Sequence, residues 1–267
     1  MNPTDATRHM TFVAAVNNRQ VLQGNLLASP CLQGGHGHQV VLQEKFSSAS
    51  SAYNDAIDKS VNDLIVFCHQ DIYLPEAWPA ELERSLSGLA STDANWGVLG
   101  CYGETLDDHG RGYVYSSGRG VMGSPFDHPA AVQTLDEIVL ILRKSSGLRF
   151  DPLLPHFHFY GTDICMAAAK RGMKSYAISA FCVHNTQQYL ILPKEFYESC
   201  DYVKRAWRDW LPIQTTCVRL TKAGFPLRAK RLREVYLRHV RRKTTGGTRV
   251  ESVHRLLEEV MAGAGPE

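Results

Sequence analysis

The fold class follows from residues 61–74, VNDLIVFCHQDIYL. The run LIVFC (64–68) is continuously apolar, which is typical of a β-strand covered on both faces. His69, Gln70 and Asp71 follow at its carboxyl end. A carboxylate and an imidazole at a strand end can hold a divalent ion against a diphosphate, because a hard cation binds carboxylate and phosphate oxygens. The alternative interpretation is that Asp71 caps the following turn and His69 packs in the core.

Strand-like and helix-like segments alternate around this stretch. The predicted strands are residues 11–16, 39–42, 64–68, 96–101 and 175–183, with 133–143 leading into a further strand. The predicted helices are residues 21–28, 48–59, 76–89 and 163–171, the last ended by Gly172. This alternation predicts an α/β sheet with helices on both faces, and ligands bound beyond the carboxyl ends of the strands.

Two segments depart from the alternation. Residues 103–129 are rich in Gly, Asp and His, which predicts a hairpin and a mobile loop. From residue 189 onward the pattern is helical, with predicted helices at 194–210, 227–240 and 250–261. The sequence TTGG at 244–247 predicts a hinge before the last helix.

Three further polar residues follow or begin predicted elements. Asn17 ends the first strand, where its amide suits recognition of a nucleobase or ribose, although asparagine is also an ordinary turn former. Asp163 begins a predicted helix, where the helix dipole favours a carboxylate in any case. His184 follows the last strand as a candidate metal ligand, or as a histidine satisfied by hydrogen bonds.

The order of these features carries a family resemblance. The motifs are FVAAVNN (12–18), SAYNDAID (51–58), LIVFCHQDIYLP (64–75), QTLDE (133–137), FHFYGTDIC (157–165) and FCVHNT (181–186). In this order and spacing, residues 10–190 resemble the family 2 glycosyltransferases of the GT-A fold, especially the bacterial branch that includes the streptomycin-biosynthesis StrF-type domain. The resemblance implies a mixed sheet flanked by helices, followed here by a helical C-terminal extension.

The resemblance also implies a function. A nucleotide-sugar donor would bind at the strand ends, and its sugar would pass to a hydroxyl acceptor with inversion. Asp71 and His184 match positions that hold Mn²⁺ or Mg²⁺, and His69 stands where the family often has a second aspartate. The remaining implied positions are Asn17, Asn54 and Gln70 near the donor, Asp136 near the donor sugar or acceptor, and His158 and Tyr160 on the acceptor side.

The catalytic base is the position at which this chain departs from the family. Many family members carry Glu-Asp-x-Asp at the helix start, and the first aspartate is the usual base. Here the sequence is Tyr160-Gly161-Thr162-Asp163, so Gly161 stands at the expected base. Asp163 is the predicted base, with Asp136 or His158 as competitors. A donor-binding protein without activity is the remaining alternative.

The charge is unevenly distributed. The 267 residues carry a formal net charge of +2 and are 44% hydrophobic, which excludes a disordered or collagen-like chain. Residues 204–243 hold 13 of the 29 Lys and Arg but two of the 27 Asp and Glu, a charge of +11, which leaves −9 elsewhere. This asymmetry predicts a GT-A domain at residues 1–190 and a basic helical region at 191–267.

The basic region suggests three partners. Within LRAKRLREVYLRHVRRK (227–243), an apolar helical face comprises Ala229, Leu232, Val235, Tyr236 and Val240. This face either packs on the catalytic domain or attaches to an anionic membrane, which would suit a lipid-linked rather than a soluble glycan acceptor. Nucleic-acid binding is the least favoured, because no RNP motif, zinc-finger spacing or helix-turn-helix signature accompanies the basic residues. The sequence leaves an oligomer open.

Cysteine usage and hydropathy predict a cytoplasmic location. The alternative is a cytoplasmic protein that associates peripherally with the inner face of the membrane. The seven cysteines are scattered without a CxxC pair, so reduced thiols are expected. The start MNPTDATRHM has no apolar core of a signal peptide. The apolar run at 138–142 is only five residues long, against the about 20 that cross a bilayer.

Overall fold

A computed structural model describes residues 8–107, 109–242 and 244–263. The ends of the two predicted regions (1–7 and 264–267), one residue of the predicted loop (Asp108) and the last residue of the basic stretch (Lys243) lie outside the described residues. The strands are β1 (Met10–Val16), β2 (Gln39–Glu44), β3 (Leu64–His69), β4 (Ile72–Tyr73), β5 (Val98–Gly100), β6 (Tyr102–Glu104), β7 (Gly110–Ser116), β8 (Gly120–Gly123), β9 (Ala130–Val132), β10 (Thr134–Leu135), β11 (Val139–Arg143), β12 (Ser175–Ala177), β13 (Cys182–His184), β14 (Gln188–Tyr189) and β15 (Thr245–Gly247). The α-helices are α1 (Arg19–Gly24), α2 (Ala49–Lys59), α3 (Trp78–Thr92), α4 (Tyr160–Lys170), α5 (Lys194–Ala206), α6 (Phe225–Tyr236) and α7 (Val253–Met261).

A seven-stranded sheet with the order β2-β1-β3-β11-β5-β12-β9 forms the centre of the fold. The strand β1 runs parallel to both β2 and β3, whereas β11 runs antiparallel to β3 and β5, so the sheet is mixed. The predicted α/β sheet with flanking helices, which the resemblance also implies, is therefore confirmed.

The two faces of the sheet are covered by separate hydrophobic clusters. Side chains alternate along a strand, so in β1 Val13 joins one cluster while Phe12 joins the other, and in β3 Phe67 and Val66 divide in the same way. Helices α2, α4 and α5 cover the first face and α3 covers the second. This two-sided cover explains why LIVFC is apolar at every position.

A second sheet has the order β10-β6-β7-β13-β4, with β8 paired to β7. The antiparallel β7–β8 pair confirms the predicted hairpin within 103–129. The predicted strand at 175–183 is wrong as one element: it is divided into β12 of the large sheet and β13 of the second sheet. Between them the backbone N–H of Phe181 donates to Glu81 Oε2 at 2.8 Å, so it is bonded to a side chain and not to a strand.

The helix α2 begins and ends close to its predicted bounds. Ser48 caps it by accepting from Ser51 N–H at 3.2 Å. By contrast, α4 begins at Tyr160, three residues before the predicted start, so Asp163 lies in its first turn.

The region after residue 190 packs into the same clusters as the rest of the chain. Phe196, Cys200 and Val203 of α5 are buried against the face covered by α2 and α4. Val253, Leu256 and Val260 of α7 are buried against a third cluster that includes Tyr115 and Val183, from the second sheet. The predicted division of the chain into two regions, 1–190 and 191–267, stays a prediction.

Several C-terminal bounds differ from the prediction. The predicted helix 194–210 ends at Ala206 and is followed by a 3₁₀ turn at Arg208–Trp210, and α6 continues as a π-helical turn at Leu237–Arg241. The predicted hinge at 244–247 is wrong, because these residues include β15, which pairs antiparallel with β14. Gly247 also lies against the turn between β7 and β8, where a Cβ on it would lie 2.5 Å from Gly118 Cα.

No helix in the described ranges is long and apolar enough to span a bilayer. All seven cysteines lie in those ranges as free thiols, and six of them are buried.

Replacing Leu256 by Ala tests whether α7 is an integral part of the fold. The Leu256 side chain is 1% exposed, so its truncation leaves a cavity and should lower the free energy of unfolding by about 2–5 kcal/mol. Urea denaturation measures the loss. Met261→Ala, in the same helix at 64% exposure, is the matched control and should change stability little. Equal stability of the two variants would show that α7 contributes nothing to the core.

Candidate active site

The carboxyl ends of β1 and β3 meet at one edge of the large sheet. Their parallel register aligns Ala15 with His69, which brings the residues that follow each strand together. Gln70 Nε2 donates to Asn17 Oδ1 at 2.6 Å, and the backbone N–H groups of Asn17 and Asn18 donate to Gln70 Oε1 at 3.1 and 3.0 Å. Two predicted donor-side residues thus form one exposed amide pair.

Next to this pair, His69, Asp71 and His184 form a cluster in which one ligand atom from each lies within 4.8 Å of the others. His184 Nε2 is 3.4 Å from Asp71 Oδ1, and His69 Nδ1 is 4.0 Å from the same oxygen. The cluster unites the ends of β3 and β13, from two different sheets. Two imidazoles and a carboxylate suit a transition-metal ion such as Mn²⁺ better than Mg²⁺, which prefers oxygen ligands alone.

The hydrogen bonds of the two histidines direct one ring nitrogen of each into the cluster. Tyr160 donates its hydroxyl to the Glu137 carbonyl at 3.1 Å, so the His69 Nε2–H, 2.9 Å away, donates to Tyr160 and leaves Nδ1 unprotonated. His184 Nδ1 lies 3.4 Å from the Ser116 hydroxyl, which leaves Nε2 facing Asp71. Such outer hydrogen bonds orient histidines that bind metals, so the residues present fit a divalent ion.

Arg249 is a member of this site that the sequence did not reveal. Its Nη2 lies 2.9 Å from Asp71 Oδ2, and its Nε–H donates to the Asn185 carbonyl at 2.9 Å. Burial alone would raise the pKa of Asp71, but His184, His69 and Arg249 hold it well below its usual range. The two partners are 178 residues apart, and no spacing pattern connects them. The carboxylate is therefore ionised, with one oxygen paired and the other facing the histidines.

A cavity of about 780 Å³ opens beside the cluster. One wall comes from the strand ends and includes His69, His184, Asp136 and Glu137. The opposite wall comes from the end of β14, from α6 and from its π-helical turn. Its charged residues are Lys230, Arg233, Glu234 and Arg241. The C-terminal region thus forms part of the site, which the sequence pattern did not indicate.

Asp136 and His158, two of the predicted residues, line this cavity. Asp136 Oδ1 accepts from the Ile138 N–H at 3.2 Å, which fixes the carboxylate beside β11. Burial, reinforced by His69, lowers the pKa of His158 to about 4, so its imidazole is neutral at pH 7. Tyr160 is buried and holds His69 through its hydroxyl.

Asp163 and Asn54 have partners elsewhere and, among the described residues, are not in the cavity lining. Asp163 Oδ1 accepts from Trp207 Nε1 at 2.7 Å, and burial raises the pKa of its carboxyl to about 6. Asn54 exchanges two hydrogen bonds with the backbone of Phe150, at 2.8 and 3.0 Å, which ties α2 to the segment between β11 and α4. The role of Asp163 as catalytic base and the role of Asn54 in donor binding stay predictions.

Glu137 is the second residue that the sequence reading missed. Glu137 lines the cavity, and its Oε1 accepts from the Gly161 N–H at 3.1 Å. Burial and the neighbouring Asp136 raise the pKa of Glu137 to about 8. The backbone N–H groups at the start of α4 oppose this shift, because they lower the pKa. The motif QTLDE contained two adjacent acids, and the prediction selected only the first.

No family model matches the chain. It is 26% identical over 167 residues to a Fuscovulum blasticum protein described as ORF 6 of the ATP synthase subunits region, covering 55% of this chain and 61% of that protein. The chain therefore spans about three fifths of the length of the curated relative that it matches.

Solved structures of glycosyltransferases are among those that resemble the fold. Residues 1–349 of Staphylococcus aureus TarS match at 13% identity and a TM-score of 0.46, over 74% of this chain and 64% of that one. The Pyrobaculum calidifontis mannosyltransferase PcManGT, in complex with GDP-Man and Mn²⁺, matches at 12% and 0.45, over 88% and 71%. GalNAc-T7 with UDP, GalNAc and Mn²⁺ matches at 10% and 0.47, over 89% and 57%. We infer the function of this chain from the residues of its own site.

The buried Asp163 should make stability depend on pH. Its pKa is raised from 3.8 to about 6, so between about pH 4 and 6 the folded protein binds more protons than the unfolded chain. Raising the pH through this window therefore lowers the free energy of unfolding. Asp163→Asn keeps an oxygen that accepts from Trp207 but has no charge. Relative to the wild type it should gain about 2–3 kcal/mol from pH 4 to pH 7, as measured by urea denaturation at each pH. Parallel pH curves for the two proteins would contradict this account.

Proposed function

We propose that this chain is a glycosyltransferase that moves a sugar from a nucleotide-sugar donor to a hydroxyl acceptor. The observation that carries the proposal is the His69–Asp71–His184 cluster at the strand ends, beside a cavity of about 780 Å³ lined by acids and bases. The GT-A family 2 resemblance, including its StrF-type branch, supports the same conclusion from the order of motifs. Strand ends of an α/β sheet are also where such folds bind ligands.

The donor diphosphate would lie against the cluster. His69 Nδ1, His184 Nε2 and one oxygen of Asp71 would hold a divalent cation, Mn²⁺ or Mg²⁺. When bound, that cation neutralises the negative charge that develops on the departing nucleoside diphosphate. Arg249 keeps the second oxygen of Asp71 paired, and the Asn17–Gln70 amide pair at the neighbouring strand end offers hydrogen bonds to the nucleoside.

The acceptor would enter through the cavity from the side of α6. Its hydroxyl attacks the anomeric carbon while a carboxylate of the opposite wall removes the proton, and attack from the face opposite the diphosphate inverts the anomeric centre. A bacterial surface polysaccharide or another glycoconjugate is the product class that the resemblance favours. A protein that binds the donor without turnover is the alternative, and a donor-hydrolysis assay separates the two.

Replacing Asp71 tests the donor site. Asp71→Asn removes the negative charge of the cluster at nearly constant volume, so Mn²⁺-dependent binding of UDP or GDP should weaken at least about tenfold. Isothermal titration with and without Mn²⁺ measures the change. Asp209→Asn, at a fully solvated carboxylate outside the cavity lining, is the matched control and should bind as the wild type does. Unchanged Mn²⁺-dependent binding in Asp71→Asn would remove this residue from the site.

We further propose that α6 places the enzyme on an anionic membrane, at the inner face if the chain is cytoplasmic. The apolar face predicted from the sequence is solvent-exposed: Leu232 is 72%, Val235 56%, Tyr236 50% and Val240 64% exposed. The exposed basic residues beside it are Arg228, Arg231, Arg238, Arg241 and Arg242. Each basic residue near an anionic surface contributes roughly 1 kcal/mol. Charge and exposed apolar area together match a membrane surface.

The helix also presents a different face to the cavity. Residues 230, 233, 234, 237 and 241 recur at helical spacing and line the cavity, whereas 232, 235, 236 and 240 lie about half a turn away. One helix thus faces both the acceptor side of the cavity and the exterior. This arrangement favours an acceptor that arrives from the membrane, such as a lipid-linked glycan.

Vesicle co-sedimentation of the full chain tests the membrane proposal. The triple variant Leu232→Ser/Val235→Ser/Val240→Ser should lose at least about tenfold in binding to phosphatidylcholine–phosphatidylglycerol vesicles, because it removes apolar area that would enter the bilayer. The control triple, Val61→Ser/Leu106→Ser/Leu153→Ser, alters equally exposed apolar residues elsewhere and should bind normally.

Three outcomes would contradict the membrane proposal. Equal vesicle binding by both triple variants would remove the role of the α6 face. Binding of an oligonucleotide duplex or single strand in place of vesicles would assign the basic residues to nucleic acid. A concentration-dependent dimer that the α6 triple abolishes, measured by sedimentation equilibrium, would assign the face to a second copy of the chain.

A further inference from the structure

Glu137 holds an unusual position between two elements of the site. It lies between β10 and β11, partly buried, and faces the start of α4. The N-cap residue of α4 is Phe159, with φ of 64° and no side-chain oxygen to offer. Glu137 Oε1 accepts from the Gly161 N–H instead, and the N–H groups of Phe159 and Tyr160 also bond the carboxylate. A carboxylate is stabilised there by the helix dipole and by these donors.

Gly161 leaves the space that the Glu137 side chain uses. A Cβ on residue 161 would lie 2.9 Å from Glu137 Cγ and 2.9 Å from the Leu135 carbonyl oxygen. A side chain at residue 161 and the observed position of Glu137 therefore exclude each other. The carboxylate beside the start of α4 comes in this chain from residue 137.

The same contacts hold Glu137 on the wall that carries the His69–Asp71–His184 cluster. The Glu137 carbonyl accepts from the Tyr160 hydroxyl, which in turn accepts from His69. The adjoining Ile138 carbonyl accepts from the backbone N–H of His69 at 3.0 Å. Glu137 is not one of the three clustered ligands, and it lines the cavity beside them.

We propose that Glu137 is the catalytic base that takes the proton of the acceptor hydroxyl. The inference rests on the proposed glycosyltransferase function. In the step, the acceptor O–H proton moves to a Glu137 carboxylate oxygen as the acceptor oxygen forms a bond to the anomeric carbon. The bond from the anomeric carbon to the diphosphate oxygen breaks, and its electron pair leaves with the nucleoside diphosphate. The reaction needs no other reactant.

Three other carboxylates lie in or near the cavity. Asp136 also lines it, with Oδ1 accepting from Ile138 N–H, and is the competing base in the same wall. Glu234 lies in the opposite wall, beside the Tyr197 hydroxyl. Asp163 accepts from Trp207 and, among the described residues, is not in the cavity lining. Burial raises the pKa of Glu137 to about 8, so its ionised form is a strong proton acceptor and turnover should rise as the pH approaches 8.

The test compares Glu137→Gln, Glu137→Asp and the wild type in donor binding, turnover and stability. Glutamine keeps an oxygen that can accept from Gly161 N–H but does not take up a proton at neutral pH, whereas aspartate keeps the charge on a shorter side chain. Turnover is the Mn²⁺-dependent release of UDP or GDP from a panel of UDP- and GDP-sugars, with water as acceptor. Glu137→Gln should lose about 10²–10⁴-fold in turnover with donor affinity and melting temperature unchanged. Glu137→Asp should retain more turnover than Glu137→Gln, and Glu83→Gln, on the exposed surface of α3, is the control.

The outcomes separate the two proposals. A wild type that binds neither UDP nor GDP with Mn²⁺ would overturn the glycosyltransferase function itself. A wild type that binds the nucleotides and releases product, with Glu137→Gln equally active, would overturn only the role of Glu137 and leave it a cap of α4. Loss of turnover in Asp163→Asn but not in Glu137→Gln would likewise assign the base to Asp163. Donor binding without any release of nucleoside diphosphate would also count against the base.

Discussion

The pairing of the Asp71 carboxylate with His184 and Arg249 is the interaction on which the site depends. A charge this buried is stable only with partners of opposite or polarised character, because its desolvation costs several kcal/mol. The carboxylate and its two partners come from three places: the turn after β3, the end of β13 and the segment after β15. The large sheet, the second sheet and the C-terminal region are therefore joined at one buried anion. Displacement of His184 or Arg249 would leave Asp71 with one of these two partners fewer.

Much of the frame could be predicted from residues that obey a local rule. The run LIVFC identified β3 because both of its faces are covered, and Ser48 identified the start of α2 by its capping oxygen. Where an element or a site depends on a side chain from a distant part of the sequence, the local sequence pattern did not predict it. Glu81 separates β12 from β13 by accepting from Phe181, and Glu137 starts α4 earlier than its own sequence indicates. Arg249 joins Asp71 across 178 residues, a contact that no spacing rule encodes.

For the apolar stripe of α6, the sequence predicted the residues of the face correctly. It did not predict whether that face packs on the protein or is exposed to solvent. The spacing of Leu232, Val235 and Val240 identifies one helical face, but periodicity does not say which face is turned toward the protein. In this fold the inward face carries Glu234 and Leu237, and the apolar face is exposed. The inner side also carries Lys230 and Arg233, which line the cavity. A charged wall facing inward leaves the hydrophobic residues on the outside.

The contact between Arg249 and Asp71 also affects the order in which the site forms during synthesis. A polypeptide is made from its amino end, so Asp71 and both histidines of the cluster exist long before residue 249 has been added. Until that arginine emerges from the ribosome and β15 pairs with β14, the anion at the centre has only imidazole partners. The centre is thus completed only after residue 249 has been added, and a nascent chain that has already formed the large sheet still lacks the cation that completes it.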